Sequence, residues 1–298
     1  MTHTALVILN PNSGRGRGQK RAESVHRALK AAGLPYEAVF TESRGHAIEL
    51  TRNAALNGWE LIIAAGGDGT INEVVNGLML AEKAGAHSKL GIMPVGTGND
   101  FALGIGLPAD LNAVAGRLVR GQTRRFDVGI VNGRYFDNCV GIGFDARINI
   151  EAHSITWVSG QMQYLLAVLR SLTSYPFPVV NIYKDDGDRL NKQVLMVSVG
   201  NGARMGGGFR ITPDALPTDG ELDLCIVNAL SRPQILRLLP KAMKGNHRGE
   251  SAVELCRTTR LVVESSDPLP VHADGEILWN DLHRVEIVLE PQRLEVVV

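Results

Sequence analysis

The residue types that bind phosphate gather in three short loops, the clearest of which is Gly66-Gly67-Asp68-Gly69. It follows the apolar run 61–65 and precedes a helical pattern in which Ile71, Val74, Val75, Leu78 and Met79 share one face. Glycines let main-chain N–H groups approach a ligand with no Cβ in the way. A helix start adds N–H groups without intrahelical acceptors and the positive end of the dipole. Asp68 conflicts with a phosphate placed there. A divalent cation shared between its carboxylate and the phosphate oxygens removes the conflict, and Mg²⁺ is the usual ion with nucleotides. In isolation, GGDG reads equally well as an Asp-Gly turn. Thr70 and Glu73 have capping-box spacing, which predicts a helix starting at Thr70.

In chain order the first of the three loops, Asn10-Pro11-Asn12-Ser13-Gly14, follows the apolar run 5–9 and leads to Arg15, Arg17, Lys20 and Arg21. Pro11 bars continuation as a central strand, while Ser13 and Gly14 supply a hydroxyl and a flexible backbone. The third, Val95-Gly96-Thr97-Gly98-Asn99-Asp100, follows the run 90–94. All three sit at carboxyl ends of strands, and in an open parallel sheet those ends face one crevice where ligands bind. Their coincidence indicates nucleotide binding. No GxxxxGK[ST] occurs, and the GxGxxA strings at 104–109 and 141–146 lack either a preceding strand or the distant acid, so they read as packing or turn glycines.

The elements that position these loops follow from periodicity. Residues 1–128 alternate strands (4–9, 36–40, 60–65, 90–94) with helices (18–32, 45–57, 70–84, 109–120), which predicts an α/β domain with an open, mostly parallel sheet and flanking helices. Residues 129–298 predict an antiparallel β-sandwich-like domain whose last strand packs back near the first. Its strands are expected at 127–131, 135–141, 179–183, 194–199, 222–227, 261–264, 285–289 and 294–298, with helical insertions at 154–172 and 231–244.

The 298 residues suffice for two cores. Lys+Arg and Asp+Glu both number 31 and aromatics make up 5%, which argues against a nucleic-acid partner. Cys139, Cys225 and Cys256 fit no zinc or CxxC spacing and suit a reducing compartment. No apolar run approaches the ~18 residues of a membrane-spanning helix. MTHTALVILNPNSG has no basic segment ahead of its apolar run, so it reads as a first strand and not a secretion signal. A cytoplasmic protein is expected, with peripheral contact at the inner membrane surface left open.

Two further triplets, Asp219-Gly220-Glu221 and Asp274-Gly275-Glu276, are Asp-Gly turns leading into apolar strands, and spacing does not rank them. His272 reads as a satisfied polar side chain, not a second base. The segment with Ile155, Trp157, Met162, Leu165 and Leu169 either covers a sheet or lines an acyl-chain cleft. Arg237, Lys241, Lys244 and Arg248 form either a solvated face or a stripe for anionic headgroups, provided the helix continues past Pro240.

GGDGTINEVVNG at 66–77, NPNSG at 10–14, PVGTGNDFA at 94–102, the segment 199–224 and HADGEI at 272–277 resemble the diacylglycerol kinase catalytic-domain family, in particular the bacterial soluble lipid kinases of the YegS and DgkB type. GGDGT alone is shared with NAD kinases and phosphofructokinases; the combination is more specific. The resemblance implies an ATP-dependent, Mg²⁺-dependent lipid kinase that phosphorylates a hydroxyl such as that of diacylglycerol or phosphatidylglycerol at a membrane surface. It implies Glu276 as proton acceptor, with Asp68 and Asp100 as functional carboxylates. Nucleotide contacts are implied at Asn10, Pro11, Asn12, Ser13, Gly14, Thr41, Gly66, Gly67, Asp68, Gly69, Thr70, Ile71, Asn72 and Thr97. A second metal site, for Mg²⁺ or Ca²⁺, is implied at the Asp219 carboxylate and the carbonyls of Leu216 and Glu221. A soluble-acceptor kinase related to NAD kinase and a non-catalytic nucleotide or lipid sensor are the rival readings. Exposed strand edges in the second domain would permit a homodimer.

Overall fold

The computed structural model describes residues 4–11, 13, 18–155, 157–158, 161–172, 175–185, 187 and 189–298. The chain forms two compact units, one of Met1–Phe126 with Gln292–Val298 and the other of Asp127–Pro291.

The first unit runs β1 (Ala5–Leu9), α1 (Gly18–Ala32), β2 (Tyr36–Phe40), α2 (His46–Leu56), β3 (Leu61–Gly66), α3 (Asp68–Lys83), β4 (Lys89–Pro94), α4 (Asp100–Gly104) and α5 (Leu111–Arg120), after which β5 (Thr123–Val131) leads into the second unit. β2, β1, β3 and β4 pair in that order, all parallel, and Val296 near the end of the chain adds a parallel partner beside Leu90. Central strands buried on both faces need helices on both sides. Val7, Leu9, Ile63, Ala65 and Met93 accordingly pack with Val25 and Leu29 of α1 and Val114 and Leu118 of α5.

Two expectations are corrected here. The third helix begins at Asp68 with Gly67 as its N-cap, and the Thr70–Glu73 capping box does not form, because the Glu73 carboxylate is used elsewhere: it accepts the N–H groups of Gly45 and Ala47 at the head of α2. The short helix α4, inside what the sequence reads as loop and linker, starts on Asn99, which adopts a left-handed φ of 53°.

The second unit continues with β6 (Arg134–Phe136), β7 (Cys139–Gly143), α6 (Phe144–Ser154), α7 (Gln161–Ser171), β8 (Val179–Lys184), β9 (Arg189–Gly200), β10 (Leu222–Asn228), α8 (Arg232–Lys244), β11 (Val253–Thr258), β12 (Arg260–Ala273) and β13 (Glu276–Val297). Its pairings are antiparallel. Both β7 and β8 bridge β9 to β12, at different ends of those long strands, so the four strands close on themselves. Register shifts along β12 and β13 allow the bending this requires. Alternation along β10 divides the interior. Leu222, Leu224 and Ile226 face one core with Val197, Val263 and Ile287, while Cys225 and Val227 face Phe144, Ile148, Val168 and Ile235 beneath α6, α7 and α8.

The sequence placed one helix at 154–172. The chain instead forms α6 and α7 on either side of a break at Ile155, which is extended, and Trp157 lies outside both, 77% exposed. α8 does continue through Pro240, but Arg248 lies beyond its Gly245 C-cap. The basic stripe is therefore broken, and its Lys241 and Arg248 pair with Glu250 and Asp214. Among the described residues no helix is long and apolar enough to cross a membrane.

Candidate active site

In the first unit the three phosphate-type loops meet through the main chain. Asn10 N–H donates to Ala65 O at 3.2 Å, Thr41 N–H to Leu9 O at 2.9 Å, and Val95 N–H to Gly66 O at 2.9 Å. The Asn10 carboxamide donates to Thr70 Oγ1 at 3.0 Å, tying the first loop to the start of α3. Asp68 accepts the Phe101 N–H at 3.3 Å, which ties the second loop to α4. The Arg21 guanidinium donates to the Val95 carbonyl.

The second and third loops touch closely enough to exclude side chains. A Cβ on Gly96 would lie 2.3 Å from Gly67 Cα and 2.6 Å from Asn99 Oδ1, so glycine is required for the approach. Asn99 Oδ1 in turn accepts the Gly96 N–H at 2.9 Å.

Asn10, Thr41, Gly66, Gly67, Asp68, Gly69 and Thr70 are thus brought to one sheet end, with Pro11 and Ser13 following Asn10 and with Thr97 exposed and Asp100 buried on the third loop. Ile71 and Asn72 lie below this rim. Both are buried, and the Ile71 N–H is used within the helix by Gly67 O. Asn12 and Gly14, like Arg15 and Arg17, lie outside the described residues.

In the second unit, Asp274 and Gly275 have φ of 48° and 81°, and Ala273 pairs with Glu276 across them. This is the geometry of a two-residue hairpin with both central residues left-handed. The buried Asp274 carboxylate accepts three consecutive main-chain N–H groups, from Asp137 at 3.0 Å, Asn138 at 3.1 Å and Cys139 at 2.7 Å. Glu276 projects beside Arg134, with 4.0 Å between its Oε2 and the guanidinium Nη2.

The other triplet is held from β5. Asp127 accepts the Gly220 N–H at 2.9 Å, and its own N–H donates to Pro217 O at 2.9 Å. Leu216 O accepts from Thr218 and Asp219 N–H, and Asp219 Oδ1 accepts the Glu221 N–H at 3.2 Å. Arg257 faces Asp219, Glu221 and Asp223 at 3.8, 2.8 and 3.6 Å. Burial pushes the Asp223 carboxyl upward, with Arg257 opposing and Asp219 and Asp214 adding to the rise. The oxygen-only donors at 216, 219 and 221 suit a hard cation. Among the described residues no group of three His, Cys, Asp or Glu side chains is arranged to hold a metal, so such an ion would depend on the main-chain carbonyls.

Asn201, fully buried, connects the two triplets' supports by donating from its carboxamide to Asp127 O at 2.9 Å and Asp137 O at 2.7 Å. Arg134, Asp127 and Asn201 escaped the sequence reading. Only Asp127 left a signal, as a charged residue inside the apolar alternation of Phe126-Asp127-Val128.

Also in this unit, a small cavity of ≈ 50 Å³ is walled mainly by apolar side chains from α6, α7, α8 and the sheet. Asp145 stands at its wall and accepts from Tyr164 and Ser198 hydroxyls, each at 3.0 Å, with His272 Nε2 3.4 Å away. Burial alone would raise Asp145, but the His272 charge and hydrogen bonds from His272, Tyr164 and Ser198 prevail and hold it below the usual carboxylate range. Burial, then the Asp145 charge, pushes the Tyr164 hydroxyl well up. A Cβ on Gly141 would strike His272 Nε2 at 2.2 Å, which makes this a packing glycine and not part of a dinucleotide fingerprint.

A loop set of the phosphate-binding type on a parallel sheet is thus followed by a closed antiparallel unit that carries an Asp-Gly-Glu hairpin. Residues 4–131 match the diacylglycerol kinase catalytic domain and residues 138–298 the YegS C-terminal NAD kinase beta sandwich-like domain. The diacylglycerol kinase of Bacillus subtilis (strain 168) is 34% identical over 274 residues, spanning 91% of this chain and 89% of that protein. The diacylglycerol kinase of Mycobacterium tuberculosis (strain H37Rv) is 32% identical over 277 residues, spanning 91% and 87%. A crystal structure from Bacillus anthracis str. Sterne, of a protein whose assignment as a diacylglycerol kinase is itself provisional, aligns with TM-score 0.80 and 26% identity over 99% of this chain and 96% of that one. Yeast NADH kinase complexed with NADH, at TM-score 0.55 and 10% identity over 99% of this chain and 83% of that one, shares the fold alone. The chain belongs to the diacylglycerol kinase family, lipid kinases that transfer phosphate to an alcohol.

Proposed function

We propose that this protein transfers the γ-phosphate of ATP to the free hydroxyl of a lipid such as diacylglycerol or phosphatidylglycerol, in a Mg²⁺-dependent reaction at a membrane surface. The observation that carries the reading is the convergence of Asn10 with the 66–70 and 95–100 loops at one end of the parallel sheet, in a chain whose curated relatives are diacylglycerol kinases.

The loop amides and the first turn of α3 would hold the triphosphate, and the absence of Cβ atoms at Gly67 and Gly96 lets these two loops lie against each other. Mg²⁺, held against the Asp68 carboxylate, would neutralise phosphate charge. Glu276 accepts the proton of the acceptor hydroxyl as its oxygen bonds to the γ-phosphorus; the bond to the β–γ bridging oxygen breaks, and ADP leaves. Phosphoryl transfer requires alignment and charge neutralisation more than covalent chemistry, so this set is sufficient. Asp219 with the 216 and 221 carbonyls would hold a second, structural ion.

The deciding experiment incubates the protein with γ-labelled ATP, Mg²⁺ and detergent-dispersed lipids, followed by chromatography. Label moving into a lipid is the expected result. Label moving only into a water-soluble acceptor such as NAD would overturn the lipid assignment.

A further inference from the structure

The hairpin that carries Glu276 is gripped by one short stretch of chain. Residues 137, 138 and 139 point three successive N–H groups at the Asp274 carboxylate, and Asp274 N–H returns a bond to Cys139 O at 2.9 Å. Three residues earlier, on β6, Arg134 faces Glu276. Successive amides converging on an anion form the same concavity that binds free anions, here filled by a side chain of the protein itself.

We propose that the 134–139 stretch sets the geometry of phosphoryl transfer, with Asp274 and Arg134 as positioning residues: the amides clamp the turn through Asp274, and Arg134 orients the Glu276 carboxylate. The proposal rests on Glu276 being the proton acceptor.

Asp274 is itself a carboxylate two residues away, and its surroundings separate the two roles. A carboxylate has roughly four lone-pair directions, and at Asp274 three take main-chain N–H groups while the residue is buried. A group so engaged fixes backbone. Glu276 is less enclosed and meets a guanidinium, which stays protonated at all working pH and favours the ionised carboxylate needed to take a proton. Other ionisable groups on the elements around the turn include Asp137 on the connector and the Asp145–His272 pair on α6 and β12.

The test uses the full chain with ATP, Mg²⁺ and detergent-dispersed diacylglycerol, comparing Arg134→Ala, Arg134→Lys, Asp274→Asn and Glu276→Gln. kcat and KM are measured from about pH 5 to about pH 8. Arg134→Ala is expected to lower kcat by about 10² with KM for ATP unchanged, and to move the acid limb of the profile to higher pH. Arg134→Lys recovers part of both, since it restores the charge without the planar fork. Asp274→Asn lowers kcat but keeps the acid limb.

Wild-type kcat and acid limb in Arg134→Ala would overturn the proposal, as would disappearance of the acid limb in Asp274→Asn, which would make Asp274 the titrating base. If Asp274→Asn does not fold, the two Arg134 variants decide. Normal turnover in Glu276→Gln would instead remove the base assignment on which the proposal rests, a result separable from failure of Arg134 alone.

Discussion

Glu73, one turn inside α3, accepts the main-chain N–H of Gly45 at 2.7 Å and, through its second oxygen, that of Ala47 at 3.1 Å. A buried carboxylate thereby caps a neighbouring helix, placing negative charge at the positive end of α2. The helix that begins at the candidate phosphate loop is locked to its neighbour within its first two turns.

Replacing Glu73 with Ala leaves two N–H groups at the head of α2 without this acceptor. Hydrogen bonds to charged groups contribute about 1.5–3 kcal/mol each, so loss of the two gives an expected destabilisation of about 3–6 kcal/mol, read from urea denaturation midpoints at unchanged slope. A loss below about 0.5 kcal/mol would mean that the α2 terminus finds other partners at no cost.

Gly96→Ala tests the contact between the second and third loops. The new methyl would sit 2.3 Å from Gly67 Cα, a backbone atom that cannot swing aside. Overpacking of this kind costs about 1–3 kcal/mol, and the displaced main chain is the part proposed to face the triphosphate. Affinity for a non-hydrolysable ATP analogue, read by calorimetry, is expected to fall at least about tenfold. Unchanged affinity would separate these loops from nucleotide binding.

How much of this was legible in the sequence depended on what each residue touches. The loops at 66–69 and 95–100 were readable because glycine, aspartate and strand-to-helix transitions are local signals. Glu73 was misread because the same local signal, a capping box, was outcompeted by a helix end 26 residues away in sequence. β13 was read as two short strands, 285–289 and 294–298, because Glu290, Pro291, Gln292 and Arg293 interrupt the apolar pattern between them, and its start was missed because Asn280, Asp281 and Arg284 are solvated, although the ladder to β12 runs through that stretch. Arg134 had no signal at all, since its meaning comes from a pairing 142 residues away across the fold.

The cysteines give a check on the second unit. Burial pushes the Cys225 thiol up to about 12, and Cys139 is also buried, whereas Cys256 is half-buried. Since only the thiolate reacts appreciably, alkylation of the native protein near pH 7 is expected to label Cys256 first and the others only after denaturant is added. Rapid labelling of Cys225, located by peptide mass, would mean that the layer under α8 opens readily. Cys225 and Cys256 face opposite sides of their paired strands, since Leu224, not Cys225, lies across from Cys256. No disulfide between them is therefore expected on oxidation.

The buried Asp145 makes acid stability predictable in sign. Its folded pKa lies below the ordinary 3.8, with burial opposing and His272, Tyr164 and Ser198 together prevailing. As pH falls through about 4, the unfolded chain binds a proton that the folded chain still refuses, so acidification favours unfolding. The stabilisation from this carboxylate is present above that value and is lost progressively as pH drops toward the folded pKa. Asp145→Asn cannot titrate there. Urea midpoints of the two proteins, measured from neutral pH down to about pH 2.5, are expected to differ most near neutrality and to converge on the acid side. A gap that stays constant across the range would show that the Asp145 charge contributes nothing, and that its hydroxyl partners hold the site as ordinary neutral hydrogen bonds.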